Sequence, residues 1–109
     1  MKTGASAQLF LDGNLVGTVV LSRRNDSWNF GRFSPNDAFS LYAPRFARWS
    51  MLMHEDEGQQ ITPDLSDELR AAETDLASIR AKLYLPDREE WRKIAVLTID
   101  GPLVEWKEY

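Results

Sequence analysis

The stretch Ala7 to Ser22, AQLFLDGNLVGTVVLS, decides the fold class. Leu9, Phe10 and Leu11 run into Asp12-Gly13, and the chain resumes with Leu15, Val16, Val19, Val20 and Leu21. An Asp-Gly pair between two β-rich runs signals a hairpin, because glycine takes the positive φ that a tight turn demands. Two antiparallel strands are expected, over about 6–12 and 15–22. The same letters return late in the chain. Leu97-Thr98-Ile99-Asp100-Gly101-Pro102-Leu103-Val104 repeats the order found from Leu9 to Val16 and predicts a second hairpin, from Ile94 to Trp106. No helix repeats with it, so two hairpins converging on one turn chemistry explain the echo better than duplication.

Between the hairpins lies the helical part. After the polar turn Arg23-Arg24-Asn25-Asp26, Trp28 and Phe30 alternate with Asn29 and Gly31, which reads as a third strand near 27–33. Gly31 weakens that strand, or marks a bulge or a place where a backbone or an aromatic ring comes close. Ser34-Pro35-Asn36-Asp37 then reads as a helix start, with Ser34 as cap and Pro35 in the first turn. Phe39, Tyr42, Phe46, Trp49 and Met53 follow at helical spacing. Because this stripe keeps its phase across Pro44, one helix over about 35–56, kinked at Pro44, is favoured over two short helices. His54 to Gln60 reads as a polar link, and Thr62-Pro63 repeats the cap-plus-proline start. Leu65, Leu69, Ala72, Leu76, Ile79 and Leu83 predict a second helix, 63–83, with Leu83-Tyr84-Leu85 readable as a short strand before Pro86-Asp87.

The expected fold is therefore α+β, a single domain over 1–109. In it one antiparallel sheet, made from neighbouring N- and C-terminal hairpins and the strand near 27–33, carries both helices on one face.

Composition narrows the chemistry. The 109 residues carry 13 Lys+Arg against 17 Asp+Glu, a net charge of −4, with 43% hydrophobic and 11% aromatic residues and no cysteine. Without cysteine there are no disulfides, thiolate nucleophiles or thiolate zinc sites, which fits a reducing cytoplasm. No run of apolar residues is long enough for a membrane span or a signal peptide. His54 is the one histidine; with Glu57 it would share a helix face suited to a metal, but a solvated acidic helix end explains these residues better. A serine–histidine–aspartate arrangement would need the same histidine, and no G-x-S-x-G, Walker-type loop or G-x-G-x-x-G is present. No catalytic residue, metal ligand or cofactor is assigned.

The densest feature is aromatic: Trp28, Phe30, Phe33, Phe39, Tyr42, Phe46 and Trp49, interleaved with Arg23, Arg24, Arg32, Arg45 and Arg48. Most of these rings suit a core packed on a sheet. Any left outside, with the arginines, would form a protein-docking patch, for which Arg24, Trp28, Arg32, Phe33, Arg45, Arg48 and Trp49 are the candidates. The acidic charge of the whole chain weighs against nucleic acid.

Trp28-Asn29-Phe30-Gly31-Arg32-Phe33-Ser34-Pro35, with Phe39 and Phe46 and the later Ile99-Asp100-Gly101, resembles a group of small uncharacterised bacterial proteins. These have an N-terminal hairpin, a Gly-x-Phe-x-Pro-x-x-x-Phe stretch, a helical middle and a C-terminal hairpin. The resemblance implies a bacterial origin and a compact single domain, and it brings no activity.

Two functions follow as expectations. The first is a non-enzymatic interaction module, of adaptor or immunity type, using the aromatic and arginine surface or a charged helix face against another protein; a second copy of the chain could pair through the Leu65 to Leu83 stripe, although core packing explains that stripe better. The alternative is a small acid–base enzyme or ligand-binding protein, with a pocket between sheet and helices lined by Trp28, Tyr42 and Trp49.

Overall fold

A computed structural model describes residues 2–58 and 63–109, without the side chains of 55–58 and 63–64. Alternation of inward apolar and outward residues builds strands β1 (Ser6–Leu11), β2 (Asn14–Asn25), β3 (Trp28–Pro35), β4 (Ala81–Leu85), β5 (Glu90–Asp100) and β6 (Leu103–Glu108). Helices α1 (Ala43–Gly58) and α2 (Pro63–Ala77) fall between β3 and β4. The α+β class holds, and the antiparallel sheet closes on itself. Its strands pair antiparallel in the order β1-β2-β3-β6-β5-β4, and β4 returns to β1, closing a barrel. The two terminal hairpins share this sheet without touching: β3 joins them on one side and β4 on the other. The hairpins, expected as neighbours, are kept apart because bonding β4 to both β1 and β5 leaves them no free edges to bring together.

The barrel interior is filled by Ala7, Leu9 and Leu11 from β1, Val16, Val19 and Leu21 from β2, and Trp106, which is 1% exposed, from β6. Gly31 makes room for that indole: a Cβ there would lie 3.3 Å from Trp106 Cζ3 and 2.6 Å from the Val20 carbonyl oxygen. The close approach read from the sequence at Gly31 is thus to both a ring and a backbone. The two turns of the repeated letters differ. Leu11 faces Asn14 across Asp12-Gly13, whereas Asp100 faces Leu103 across Gly101-Pro102, so the loops are one residue out of step.

The helical boundaries need correction. Ser34-Pro35 is the end of β3, and Asn36 is the cap, its side chain accepting from the Ala38 N–H at 2.9 Å. A 3-10 turn, Asp37–Leu41, follows, and α1 begins afresh at Ala43, so there is no kinked 35–56 helix. Pro44 stands in the first turn of α1, where its missing N–H costs no helical hydrogen bond. The helix then continues through His54 to Gly58, into the expected link. The remaining link residues and the Thr62 cap lie outside the described residues. At the far end α2 stops at Ala77 rather than 83. The Asp75 carbonyl accepts from the Ser78 hydroxyl at 2.6 Å and from Arg45 Nη2 at 2.9 Å, ending the helical ladder. Leu83 then points into the barrel from β4, on a period of two.

This arrangement places the helices. β4 pairs with β5 only along Glu90 to Lys93, so beyond Lys93 the β4 side of β5 has no strand neighbour. Both helices pack together and against β5. Tyr42, Phe46, Leu76 and Ile79 join the barrel core.

Candidate functional site

Trp28 faces outward from β3 and Trp49 stands on α1, and both are half-buried. They line the same two adjoining cavities, of about 350 Å³ and 290 Å³. The larger is walled by Leu76, Ala77 and Ile79 after and along α2 and by Ile94 to Thr98 of β5, with Glu73 at its rim. The smaller continues past the tryptophans to Ser50, Met53, His54, Asp100, Leu103 and Glu105. A groove with an apolar half and a polar, acid-edged half therefore runs between the helices and the barrel wall. Lys107 Nζ stands 4.8 Å from the centroid of the Trp28 ring, a cation–π contact that helps hold the ring's orientation.

The polar half brings Ser50, His54 and Asp100 into one neighbourhood. His54 Nε2 is 3.3 Å from Asp100 Oδ2, with both side chains at least half exposed. The Ser50 hydroxyl donates to the Ile99 carbonyl at 3.4 Å, so it is committed to the strand rather than to the histidine. Glu57, the other half of the metal reading, has its side chain outside the described residues. Among the described residues no group of three or more His, Asp or Glu is placed to hold a metal.

The other sequence candidates separate. Phe33 is buried at 3% exposure, its ring edge-on to Phe39 with centroids 4.8 Å apart. Arg24 is engaged within the barrel, donating from Nε to Asn29 Oδ1 at 2.8 Å and lying 3.6 Å from Glu108. Arg45 grips Asp75 with two bonds, Nε to Oδ2 at 2.9 Å and Nη2 to Oδ1 at 2.8 Å. These bonds chiefly, and attraction to Arg45 and Arg48 after them, hold the Asp75 carboxyl below its ordinary value against a smaller desolvation penalty. Arg32 and Arg48 are exposed on β3 and α1. Tyr42, expected beside the two tryptophans, is instead buried at the turn of β1 and β2. Its hydroxyl lies 3.1 Å from the Leu11 carbonyl and 3.2 Å from Asp12, and accepts from Asn14 Nδ2 at 3.3 Å.

Sequence reading missed the groove walls on α2 and β5. Leu76 and Ile79 were legible as core, yet nothing local marks a residue as lining a cavity rather than filling one. No protein-family model, curated protein or solved structure matches the chain.

Proposed function

We propose that the chain is a non-enzymatic binding module whose groove receives a small organic molecule with an apolar, ring-containing body and a basic amine. The observation that carries this reading is the convergence of Trp28 and Trp49, from a strand and a helix, on one cleft with an aliphatic floor. A volume near 350 Å³ falls in the lower range of small-molecule sites, which are mostly apolar with a few polar groups that fix orientation. Glu73, Asp100 and Glu105 along the groove favour a cation over an anion, and with Lys107 already against Trp28 the ring that attracts an organic cation is Trp49. The arginine docking surface has less support, since Arg24 and Arg45 are engaged within the fold and Phe33 is core. Among the described residues no helix is long and apolar enough to cross a membrane. A cytoplasmic setting, in keeping with a chain free of cysteine, belongs to the same reading.

The test is thermal unfolding with a series of phenylalkylamines and the matching phenylalkyl carboxylates. An amine that binds here, at one hundred times its Kd, stabilises the fold by about 2.7 kcal/mol. Ala77→Phe, which fills the groove from an exposed helix position, should abolish that shift while leaving the unliganded protein folded. Equal shifts from amines and carboxylates, or none from either series, would overturn the reading.

A further inference from the structure

On the wall formed by β1, β4 and β5, three aromatic side chains face outward across three adjacent strands. Trp91 lies 5.0 Å from Phe10 and 4.9 Å from Tyr84 between ring centroids, with interplanar angles of 58° and 61°. The tilted contacts fix the indole, yet Trp91 remains 54% exposed. A fourth ring, Tyr109, is 90% exposed and shares a shallow hollow with Trp91 and Lys93. A second hollow, which Trp91 also lines, is bounded by Phe10, Arg80 and Lys82. Trp91 lines both hollows, so the two meet at its ring as one trough.

The charges along it are basic. Lys82 and Lys93 sit directly opposite each other on β4 and β5, both exposed. Like charges at facing positions of a sheet destabilise it, and among the described residues neither lysine has a carboxylate within 4.0 Å. Asp12 is the one acid at the Phe10 end, and its carboxylate is occupied by the Arg80 N–H at 2.9 Å and the Tyr42 hydroxyl at 3.2 Å. Glu108 at the Tyr109 end lies 3.4 Å from Arg92. Eight of the seventeen acids fall between Glu55 and Asp75, outside the strands that carry the trough.

We infer that this trough binds single-stranded nucleic acid, with bases stacking on Trp91 and its neighbouring rings and phosphates bridging Lys82, Lys93 and Arg80. Exposed rings spaced along a barrel wall and flanked by cations supply what such a strand needs: sequence-tolerant stacking surfaces and charge that follows the backbone. An anion between Lys82 and Lys93 also relieves their mutual repulsion, which ties the occupant's charge to this place. The inference is independent of the tryptophan groove, which lies on α1, β3 and the later part of β5.

Fluorescence anisotropy with a labelled oligothymidine tests it. Saturable binding is expected at low salt, weakening as salt rises with a slope in log K of about 0.7 per phosphate contacted. Trp91→Ala should lower affinity about ten-fold or more, and Lys82→Glu with Lys93→Glu should remove binding at moderate salt. Arg32→Glu, a charge reversal on β3, should change it little, and circular dichroism should show each variant folded. The inference fails if no saturable binding appears below about 0.1 mM protein at low salt. It also fails if double-stranded DNA competes as well as the single strand, or if folded Trp91→Ala binds as tightly as the parent.

Discussion

A single hydrogen atom at position 31 keeps the barrel interior intact. Because the Val20 carbonyl belongs to the paired strand and Trp106 is enclosed on all sides, neither can withdraw from a methyl group at Gly31. Overpacking of this kind costs about 1–3 kcal/mol. Gly31→Ala should lose that much in urea unfolding and disturb the emission of the buried indole, whereas a loss under about 0.5 kcal/mol would mean the strands separate more easily than their packing implies. The glycine was readable as a point of close approach, but its partner was not. Trp106 lies 75 positions along the chain, and only the β3–β6 pairing brings it there.

Among the elements, the ion pair of Arg45 and Asp75 ties the start of α1 to the end of α2. It is exposed enough that solvent limits its worth to about 1 kcal/mol or less. Asp75 has a carboxyl held below its ordinary value by folding, so its contribution is complete above that value and fades as pH falls through the lowered one. Arg45→Ala should therefore be less stable than the parent by a constant margin from neutrality down to about pH 5. The margin should narrow below about pH 4, as paired urea titrations would show. A margin that stayed unchanged at pH 3 would assign Arg45's role to its bonds with the Asp75 carbonyl and Ser78. The ends of the helices were the least legible part of the sequence, and for a physical reason. The stripe from Phe39 to Met53 keeps helical phase because both the 3-10 turn and α1 bury one side against the same core, so periodicity alone does not reveal the break at Tyr42. Leu83 fell in step with α2 by coincidence of spacing; the helix ends at Ala77, where Ser78 and Arg45, a side chain 30 residues earlier, take the Asp75 carbonyl, and Leu83 belongs to β4. The hairpins were legible because their signal, turn residues between β-formers, is local.

At the scale of the molecule, closure joins residues far apart in sequence: β1 pairs with β4 from Leu11 and Ala81 to Gln8 and Tyr84. No local pattern announces such a pairing, which is why the sequence predicts the sheet but not its closure into a barrel. The same closure leaves two separate faces, the groove where the helices meet β5 and the wall where β1, β4 and β5 carry Phe10, Tyr84 and Trp91.

The shortness of β4 has a dynamic side. Past Lys93, the strand β5 is held on one flank by β6 and on the other by nothing more regular than the helix pair. Opening there needs only the helices to lift, with the other strands still zipped, so it is a sub-global fluctuation well below the cost of full unfolding. Amides from Ala95 to Thr98 should exchange with solvent deuterium sooner than those of Val19 to Leu21, which are paired on both sides. A ligand seated between helix and strand should slow them selectively. The barrel would then breathe through one seam, and what enters the groove would decide how often it does.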